Sequence, residues 1–243
     1  MLSIRTPSSI FVRIYGGLLL VISMVALSTY LLIQVVNDHR AAEYRESMAT
    51  GFFRLVAVGI ERQPAGTLRD AWLEEASTLM DNKIVLVDAK SADFDSTEQI
   101  TLLEGRAVVR VNVQHNYADI FSLVSAKEQL YLKARMSKVS EQQAKAMAIF
   151  LLDDLEHYQG QETQRLTQLQ SYFPFPLRIV SLEKSGLEPD QRARIKRKEV
   201  VLALKEGGAA RHSSIRIIAP SKIAGHVLVM GPMYLFDWMP VQL

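Results

Sequence analysis

A predominantly apolar run without a charged residue lies near the start of the chain, from Ile14 to Val36. A helix of about 20 apolar residues crosses the hydrocarbon core of a bilayer. A cleaved signal peptide has a shorter apolar core, of roughly 7 to 15 residues, followed by small residues at a cleavage site. This run is longer and no A-x-A pattern follows it, so we predict an uncleaved transmembrane helix over residues 14–36.

The charges that flank this run predict its orientation. Arg5 and Arg13 precede it, and lysine and arginine favour the cytoplasmic side of a membrane. Residues 1–13 are therefore expected in the cytoplasm and residues after about 37 outside it. The chain has no cysteine, which fits an oxidising compartment where no disulfide is used, such as a bacterial periplasm. We expect a protein of the bacterial inner membrane.

A second helical pattern begins directly after the run. Met48, Phe52, Leu55, Val56 and Ile60 recur at intervals of three and four residues, which is one face of a helix. No helix-breaking residue lies before the proline and glycine that follow this segment, so the membrane helix is predicted to continue into the outer portion. Its apolar face, with Phe53 and with Phe150 and Leu151 further along, is expected to form core or a dimer seam.

The outer portion repeats a pattern of helices and strands, and the second copy lies about 93 residues after the first. In each copy two helical patterns precede a strand, a polar helix and further β-type segments. The predicted segments of the first copy are Asp38–Arg62, Thr67–Met80, Ile84–Val87, Ala107–Val111 and Glu128–Arg135. Those of the second copy are Val139–Tyr158, Glu162–Tyr172, Leu177–Val180, Glu199–Ala203, Ile215–Ile218 and His226–Met230. We expect an α+β fold with one unit over residues 37–136 and another over 137–233.

Local signals support these elements. Asp95 and Glu98 have the spacing of a capping box, in which the side chain of each residue accepts a hydrogen bond from the backbone N–H of the other. Pro189 fits the first turn of the helix in the second copy. The pair Gly207-Gly208 is expected to form a hairpin turn. Further on, Tyr234, Phe236 and Trp238 indicate that residues 234–243 return to the membrane interface, with packing on the domain as the alternative.

The stretch from Leu177 to Gly231 resembles the periplasmic sensor region of RstB-type membrane sensor histidine kinases. The resemblance lies in LRIVSL, in the basic helix leading to KEVVLAL, and in HVLVMGPMYLF. It implies a membrane helix followed by a sensor region that acts as a homodimer in a two-component system. Where that family has one sensor unit, the repeat predicts two tandem units in this chain, which we expect to be PAS/PDC-like. A histidine kinase domain with ATP and Mg²⁺, and a cognate response regulator, are implied only for a longer parent protein.

Two other classes of protein share this layout. One is the ectodomain of a chemoreceptor or a cyclase, and the other is a single-anchor periplasmic adaptor or envelope protein without a kinase. The residues contain no H-E-x-x-H, Walker, G-x-G-x-x-G or G-x-S-x-G motif, so they favour a sensor over an enzyme. The five histidines lack metal-ligand spacing, and the net charge of +2 does not indicate a nucleic-acid partner. We expect no metal and no cofactor in this chain.

Two charged clusters are candidates for a binding site. Asp153, Asp154, Glu156 and His157 lie close together on one predicted helix. Crowded carboxylates can bind cations, and a histidine nearby can titrate near neutral pH, so this cluster is a candidate sensor of acidity or cations. The alternative is a solvated helix face.

The second cluster is a basic run. It consists of Arg192, Arg194, Lys196, Arg197 and Lys198. Such a run can contact anionic lipid headgroups or an anionic ligand. The alternative is again the exposed side of a helix, which most charged runs form.

Overall fold

The computed structural model describes residues 10–205 and 214–233, and these form seven α-helices and eight strands. The first half of the chain contains α1 (Ile10–Arg62), α2 (Thr67–Leu79), β1 (Ile84–Asp88), α3 (Ala89–Ala92), α4 (Ser96–Leu103), β2 (Val108–Asn112), β3 (Tyr117–Ser125) and β4 (Leu130–Met136). The second half contains α5 (Glu141–Glu156), α6 (Glu162–Leu169), β5 (Leu177–Ser181), α7 (Pro189–Lys196), β6 (Val201–Lys205), β7 (Ser214–Pro220) and β8 (His226–Met233), with 3-10 turns at Gln170–Tyr172 and Leu182–Ser185.

Three predictions fall wholly or partly outside the described residues. These are the cytoplasmic segment before residue 10, the hairpin turn at Gly207-Gly208, and the return of residues 234–243 to the membrane.

The chain divides into two units, of which the first ends at Glu43. In this unit the large apolar side chains between Ile14 and Val36 are exposed, and the most apolar window has a mean hydropathy of 2.3. By length and composition this part of α1 can cross a membrane. A signal sequence, or the core helix of a soluble protein, would meet the same criterion.

The second unit begins at Tyr44 and contains two four-stranded antiparallel sheets of the same topology. The first sheet has the strand order β1-β4-β3-β2, and the second has β5-β8-β7-β6. The registers match as well, since Val85 pairs with Lys133 in the first sheet as Arg178 pairs with Val229 in the second. The predicted α+β class and its duplicated pattern are therefore present in the structure.

One core lies between the inner faces of the two sheets and the helices. Alternate residues of each strand point to this core, as the period of two in a strand requires. The end of α1 contributes Met48, Phe52, Phe53 and Ile60, all at most 1% exposed. Helix α5 adds further apolar residues and contacts β6 and β7. The prediction that these helix faces form core is confirmed.

Two glycines of α1 allow aromatic rings to lie directly against its backbone. A Cβ atom at Gly51 would lie 2.6 Å from the ring of Phe173, and one at Gly59 would overlap the ring of Trp72. Both contacts are closer than real Cβ atoms make, so a larger residue at either position would push α1 away from its neighbours.

The predicted elements match the structure except at one strand. The capping box of Asp95 and Glu98 is formed, and Pro189 occupies the first turn of α7. The strand that the repeat pattern missed is β3, which is the longest strand of the first sheet. Its turn from β2 is shorter than the corresponding connection in the second copy, so a fixed offset between the copies does not align it with β7.

Candidate functional site

The outer face of each sheet, which points away from the shared core, is covered by the short helices that follow the sheet's first strand. In the first sheet this cover is aromatic. Phe94 packs on Phe121 and Tyr131, with ring centroids 5.3 and 4.8 Å apart, and all three rings are buried. Leu102 and Val108 complete the cluster. The outer face of the first sheet is thus filled by large side chains.

The charged groups on this face neutralise one another. Arg110 binds Glu98 and also donates to the carbonyl oxygens of Ala92 and Asp93, at 2.8 and 2.9 Å. Asp119 binds both Lys133 and Arg135, at 3.1 and 2.8 Å. Every cation on this face therefore has a carboxylate partner within the protein.

These contacts change the pKa values of the two carboxylates. The hydrogen bond from Arg110 is the main cause that lowers the pKa of Glu98 below its ordinary value. For Asp119, burial raises the pKa, but the bonds from Arg135 and Lys133 outweigh burial, so the net pKa is lowered. Both groups are ionised over the neutral pH range.

The outer face of the second sheet has a smaller, aliphatic cover. Leu187 and Ile195 pack there on Val201, Ile218 and Val227. By strand register, Ile218 and Val227 stand where the first sheet has Phe121 and Tyr131. Replacing rings by aliphatic side chains reduces the volume that fills this face.

A cavity of about 330 Å³ lies beside this aliphatic cluster, and we call it the arginine cavity. Its walls include Pro176, Arg178, Val180, Arg216, Val229 and Gly231. Lys184 and the buried Ser185, from the 3-10 turn after β5, lie at its side. Arg178 and Arg216 stand near the starts of β5 and β7, which run in the same direction on either side of β8. The two guanidinium-bearing strands are thus about 10 Å apart.

The cations of the arginine cavity have no anionic partner among residues 10–205 and 214–233. Neither Arg178, Arg216 nor Lys184 forms an ion pair with the described carboxylates. The Nε atom of Arg216 is buried and has no hydrogen-bond partner there. A buried donor without a partner costs free energy, which a ligand that accepts its hydrogen bond would recover.

Gly231 lines this cavity and brings no side chain to its wall. Its φ is 108°, in the region that only glycine adopts readily, and a Cβ atom there would lie 2.9 Å from the carbonyl oxygen of Ile215. The N–H of Gly231 also donates to the carbonyl oxygen of Pro176, at 3.1 Å, which holds the first residue of the cavity wall against β8. A backbone hydrogen bond and a conformation that favours glycine therefore hold this part of the cavity wall in place.

The predicted acidic cluster is divided by the structure. The side chain of Asp154 is 2% exposed and binds Arg62 of α1 at 2.6 Å and Arg165 of α6 at 2.7 Å. Helical spacing explains this burial, because position 154 lies on the same face of α5 as Leu151 and Met147. Both oxygens of Asp154 are engaged, so this residue ties three helices together instead of forming part of a solvated face.

His157 and the remaining carboxylates lie at the surface. The Nδ1 atom of His157 is 3.2 Å from Nη1 of Arg62 and 2.9 Å from the carbonyl oxygen of Asp153. Glu156 forms an ion pair with Lys222 at 2.6 Å. Binding of a signal by the four residues of this cluster stays a prediction.

The basic run is partly engaged with the protein. Arg194 and Arg197 both bind Glu199, at 2.8 and 2.9 Å, and Arg192 donates to the carbonyl oxygen of Leu187 at 2.8 Å. Lys196 lies in the last turn of α7, and Lys198 follows that helix. The interaction of these residues with lipid or an anionic ligand also stays a prediction.

The two predicted clusters meet in a groove of about 590 Å³ between α5 and the end of α7. Asp153 and Glu156 line one side, and Arg194 and Lys198 line the other. Charges of both signs face each other here, and Glu199 and Lys222 already pair with members of each cluster. This groove is therefore electrostatically balanced, in contrast to the arginine cavity.

The sequence contains a weak signal for the arginine cavity. Arg178 and Arg216 are each the lone cation in a short strand of apolar residues, LRIVS and SIRIIAP. An arginine on the covered face of a strand is uncommon without a partner. The sequence does not show which residues lie beside each arginine, because that depends on the strand order, in which β8 lies between the two arginine-bearing strands.

No group of three or more histidine, aspartate or glutamate side chains in the described part of the chain is arranged to hold a metal ion. Comparison with protein-family models, curated proteins and solved structures finds no match for the chain.

Proposed function

We propose that this chain is the extracytoplasmic signal-sensing region of a membrane-bound two-component sensor histidine kinase, built from two PAS/PDC-like units. The proposal combines the resemblance of residues 177–231 to sensor regions with an apolar helix long enough to span a bilayer. On this proposal residues after about 37 are periplasmic, the chain acts as a homodimer, and phosphoryl transfer to a response regulator belongs to a longer parent.

The observation that carries the proposal is the arginine cavity. It is a concave site with apolar walls and a few convergent polar groups, which is the usual form of a small-molecule site. It lies on a domain to whose core the end of α1 contributes, and α1 is the helix that also contains the apolar run. A ligand that binds there would act on the same packed unit that holds α1.

A series of contacts links the cavity with the end of α1. Arg216 lies on β7, and β7 contacts α5. From α5, Asp154 binds Arg62, the last residue of α1, and Arg165. A ligand that binds one arrangement of these elements more tightly than another would shift their equilibrium and so move the packed end of α1. Asp154 is the residue through which this shift would reach the helix.

The topology of the chain tests the first requirement of this proposal. Alkaline phosphatase, which is active only outside the cytoplasm, is fused after Leu243, and its activity and membrane association are measured in bacterial cells. We expect an active, membrane-bound fusion that extraction at high pH does not release. A fusion of residues 37–243 alone is the control and should be inactive. An inactive full-length fusion, or an active one free in the periplasm, contradicts the proposal.

Signalling tests the second requirement. Residues 1–243 are joined to the second membrane helix and kinase portion of a characterised sensor kinase, and output is read from its response-regulator promoter. We expect Asp154→Asn to change the output several-fold, while the control variant Asp81→Asn, at an exposed residue outside both charged clusters, does not. Equal outputs from both variants and the parent would remove Asp154 from the transmission path.

The coding sequence after Leu243 separates the proposal from the other classes. A second apolar run followed by a histidine-containing dimerisation helix supports the kinase, and a chemoreceptor or cyclase would have its own cytoplasmic domain there. A stop codon supports a single-anchor adaptor or envelope protein.

A further inference from the structure

The arginine cavity and its counterpart on the first sheet differ in charge at matching positions. By strand register, Arg216 stands where the first sheet has Asp119, and Arg178 stands where it has Val85. Asp119 is the group that neutralises Lys133 and Arg135 in the first sheet. In the second sheet the internal carboxylate is thus replaced by a cation, and another cation is added across β8.

The two faces also differ in space. Val229 occupies the position of Lys133, and Gly231 lies near that of Arg135. The side chains that cover the second sheet are also smaller, because the aromatic cluster around Phe94 is replaced there by the aliphatic side chains around Leu187. The second sheet therefore has room where the first sheet holds two long side chains.

We propose that the arginine cavity binds a small dianion of carboxylate or phosphate type, and that the outer face of the first sheet binds no such ligand. This inference rests on the proposed function, since it names the class of signal that the sensor region would recognise. Arginine is the residue best suited to these anions, because its planar fork donates two parallel hydrogen bonds to a carboxylate or phosphate.

The charge and the walls of the cavity set the kind of anion. Arg178 and Arg216, with Lys184 at the side, carry more positive charge than a monoanion would balance. Val180 and Val229 provide apolar contact for a short carbon skeleton, and a volume of about 330 Å³ is at the small end of ligand sites. The buried Nε of Arg216 would gain its acceptor from the ligand.

Titration calorimetry on the full chain tests this inference, in a maltoside detergent that carries no phosphate. The probes are succinate and inorganic phosphate as dianions, acetate as a monoanion, and succinamide as the neutral analogue of succinate. We expect succinate or phosphate to bind with a Kd below about 1 mM, and acetate and succinamide at least about tenfold more weakly. Which dianion binds tells whether the natural ligand is a carboxylate or a phosphate compound.

Variants locate the site. Arg178→Gln and Arg216→Gln should each weaken binding of the dianion by at least about tenfold, and Arg216→Lys should restore only part of it because the fork is lost. Arg135→Gln makes the same change on the outer face of the first sheet and should alter the Kd by less than about twofold. The far-ultraviolet circular dichroism of every variant is compared with that of the parent, so that only folded variants are interpreted.

Two results overturn the inference. One is the absence of binding by both dianions at about ten times the expected Kd, and the other is a dianion affinity that survives both Arg178→Gln and Arg216→Gln. The outcome is independent of the proposed function. If the chain binds the dianion but fails the topology test, the ligand site stands and the proposed role as a sensor fails. If the chain is exported but binds neither dianion, the proposed role stands and the ligand site fails.

Discussion

Asp119 on the first sheet and Arg216 on the second occupy the same place in two sheets of identical strand order. Around Asp119 two cations find an internal partner, and the aromatic cluster of Phe94 closes the face. Arg216 forms no ion pair with a described carboxylate, the cover is aliphatic, and a cavity remains. Duplication of a scaffold can thus give one unit that is self-contained and one that is open to a ligand.

The difference separates stability from binding within one domain. Groups that satisfy each other inside the protein contribute to folding but offer little to a ligand. Cations without an internal partner do not stabilise the fold, but they are ready to bind an anion. Substitutions on each face test this comparison. We expect the largest effect on the free energy of unfolding at the aromatic cover of the first sheet and the smallest at Arg216.

The largest effect is expected at the aromatic cover of the first sheet. Phe94→Ala should lower the free energy of unfolding by about 3–5 kcal/mol, because it removes a buried ring that contacts Phe121 and Tyr131. Val229→Ala, in the half-buried wall of the arginine cavity, should lower it by only about 1 kcal/mol. Urea unfolding of the full chain in detergent, followed by circular dichroism, measures both. Equal losses would mean that the two faces are packed to the same extent.

The sequence was sufficient to predict most elements around these faces. Local rules act within a few residues, so the capping box at Asp95 and the helix start at Pro189 could be read directly. Strand β3 was missed because Ala118, Asp119 and Ser122 interrupt its β-type character, and only pairing on both sides with β2 and β4 holds it in the sheet.

The charged sites depended on contacts that no local pattern contains. Asp154 is buried because Arg62 and Arg165, from two other helices, reach it. The arginine cavity requires Arg178 and Arg216 to flank β8, which follows from the strand order alone. The sequence shows which of these positions carry a charge, but it does not show which residues contact them.

The second effect concerns Gly231, in the wall of the arginine cavity. Gly231→Ala should lower the free energy of unfolding by about 2 kcal/mol, because both the positive φ and the nearby carbonyl oxygen of Ile215 oppose a Cβ atom. Gly225→Ala is the matched control, since its φ is 72° with no atom within 4 Å of the added Cβ. It should show only the backbone cost, of about 1 kcal/mol. The same unfolding assay applies, and a smaller loss at Gly231 would contradict the geometry.

The third effect is a dependence on pH that belongs to the first sheet. The pKa of Glu98 is lowered below 4.5 by Arg110, so its ionised form stabilises the fold above that pH. This stabilisation is lost as the pH falls through the lowered pKa of the folded state. Glu98→Gln keeps an acceptor for the capping box but removes the charge. It should cost about 1 kcal/mol at pH 7, since the pair is partly exposed, and almost nothing once the pH is below the lowered pKa of Glu98 in the folded state.

Unfolding of the parent and of Glu98→Gln at a series of pH values measures this difference. If the difference in the free energy of unfolding between the two proteins were the same at pH 7 and in acid, then the charge of Glu98 would not be the source of the stabilisation by Arg110. On the second sheet Ala203 stands in place of Arg110, so no equivalent loss is expected there.

The smallest effect is expected at Arg216, and it separates the two faces most directly. Arg110→Gln breaks bonds to Glu98 and to two carbonyl oxygens, and should lower the free energy of unfolding by about 1–2 kcal/mol. Arg216→Gln breaks no bond with a described residue, so the free energy should change by less than about 0.5 kcal/mol. Both are measured by urea unfolding without added anion. If Arg216→Gln cost as much as Arg110→Gln, then Arg216 would have a partner within the protein, and the second face would be as self-contained as the first.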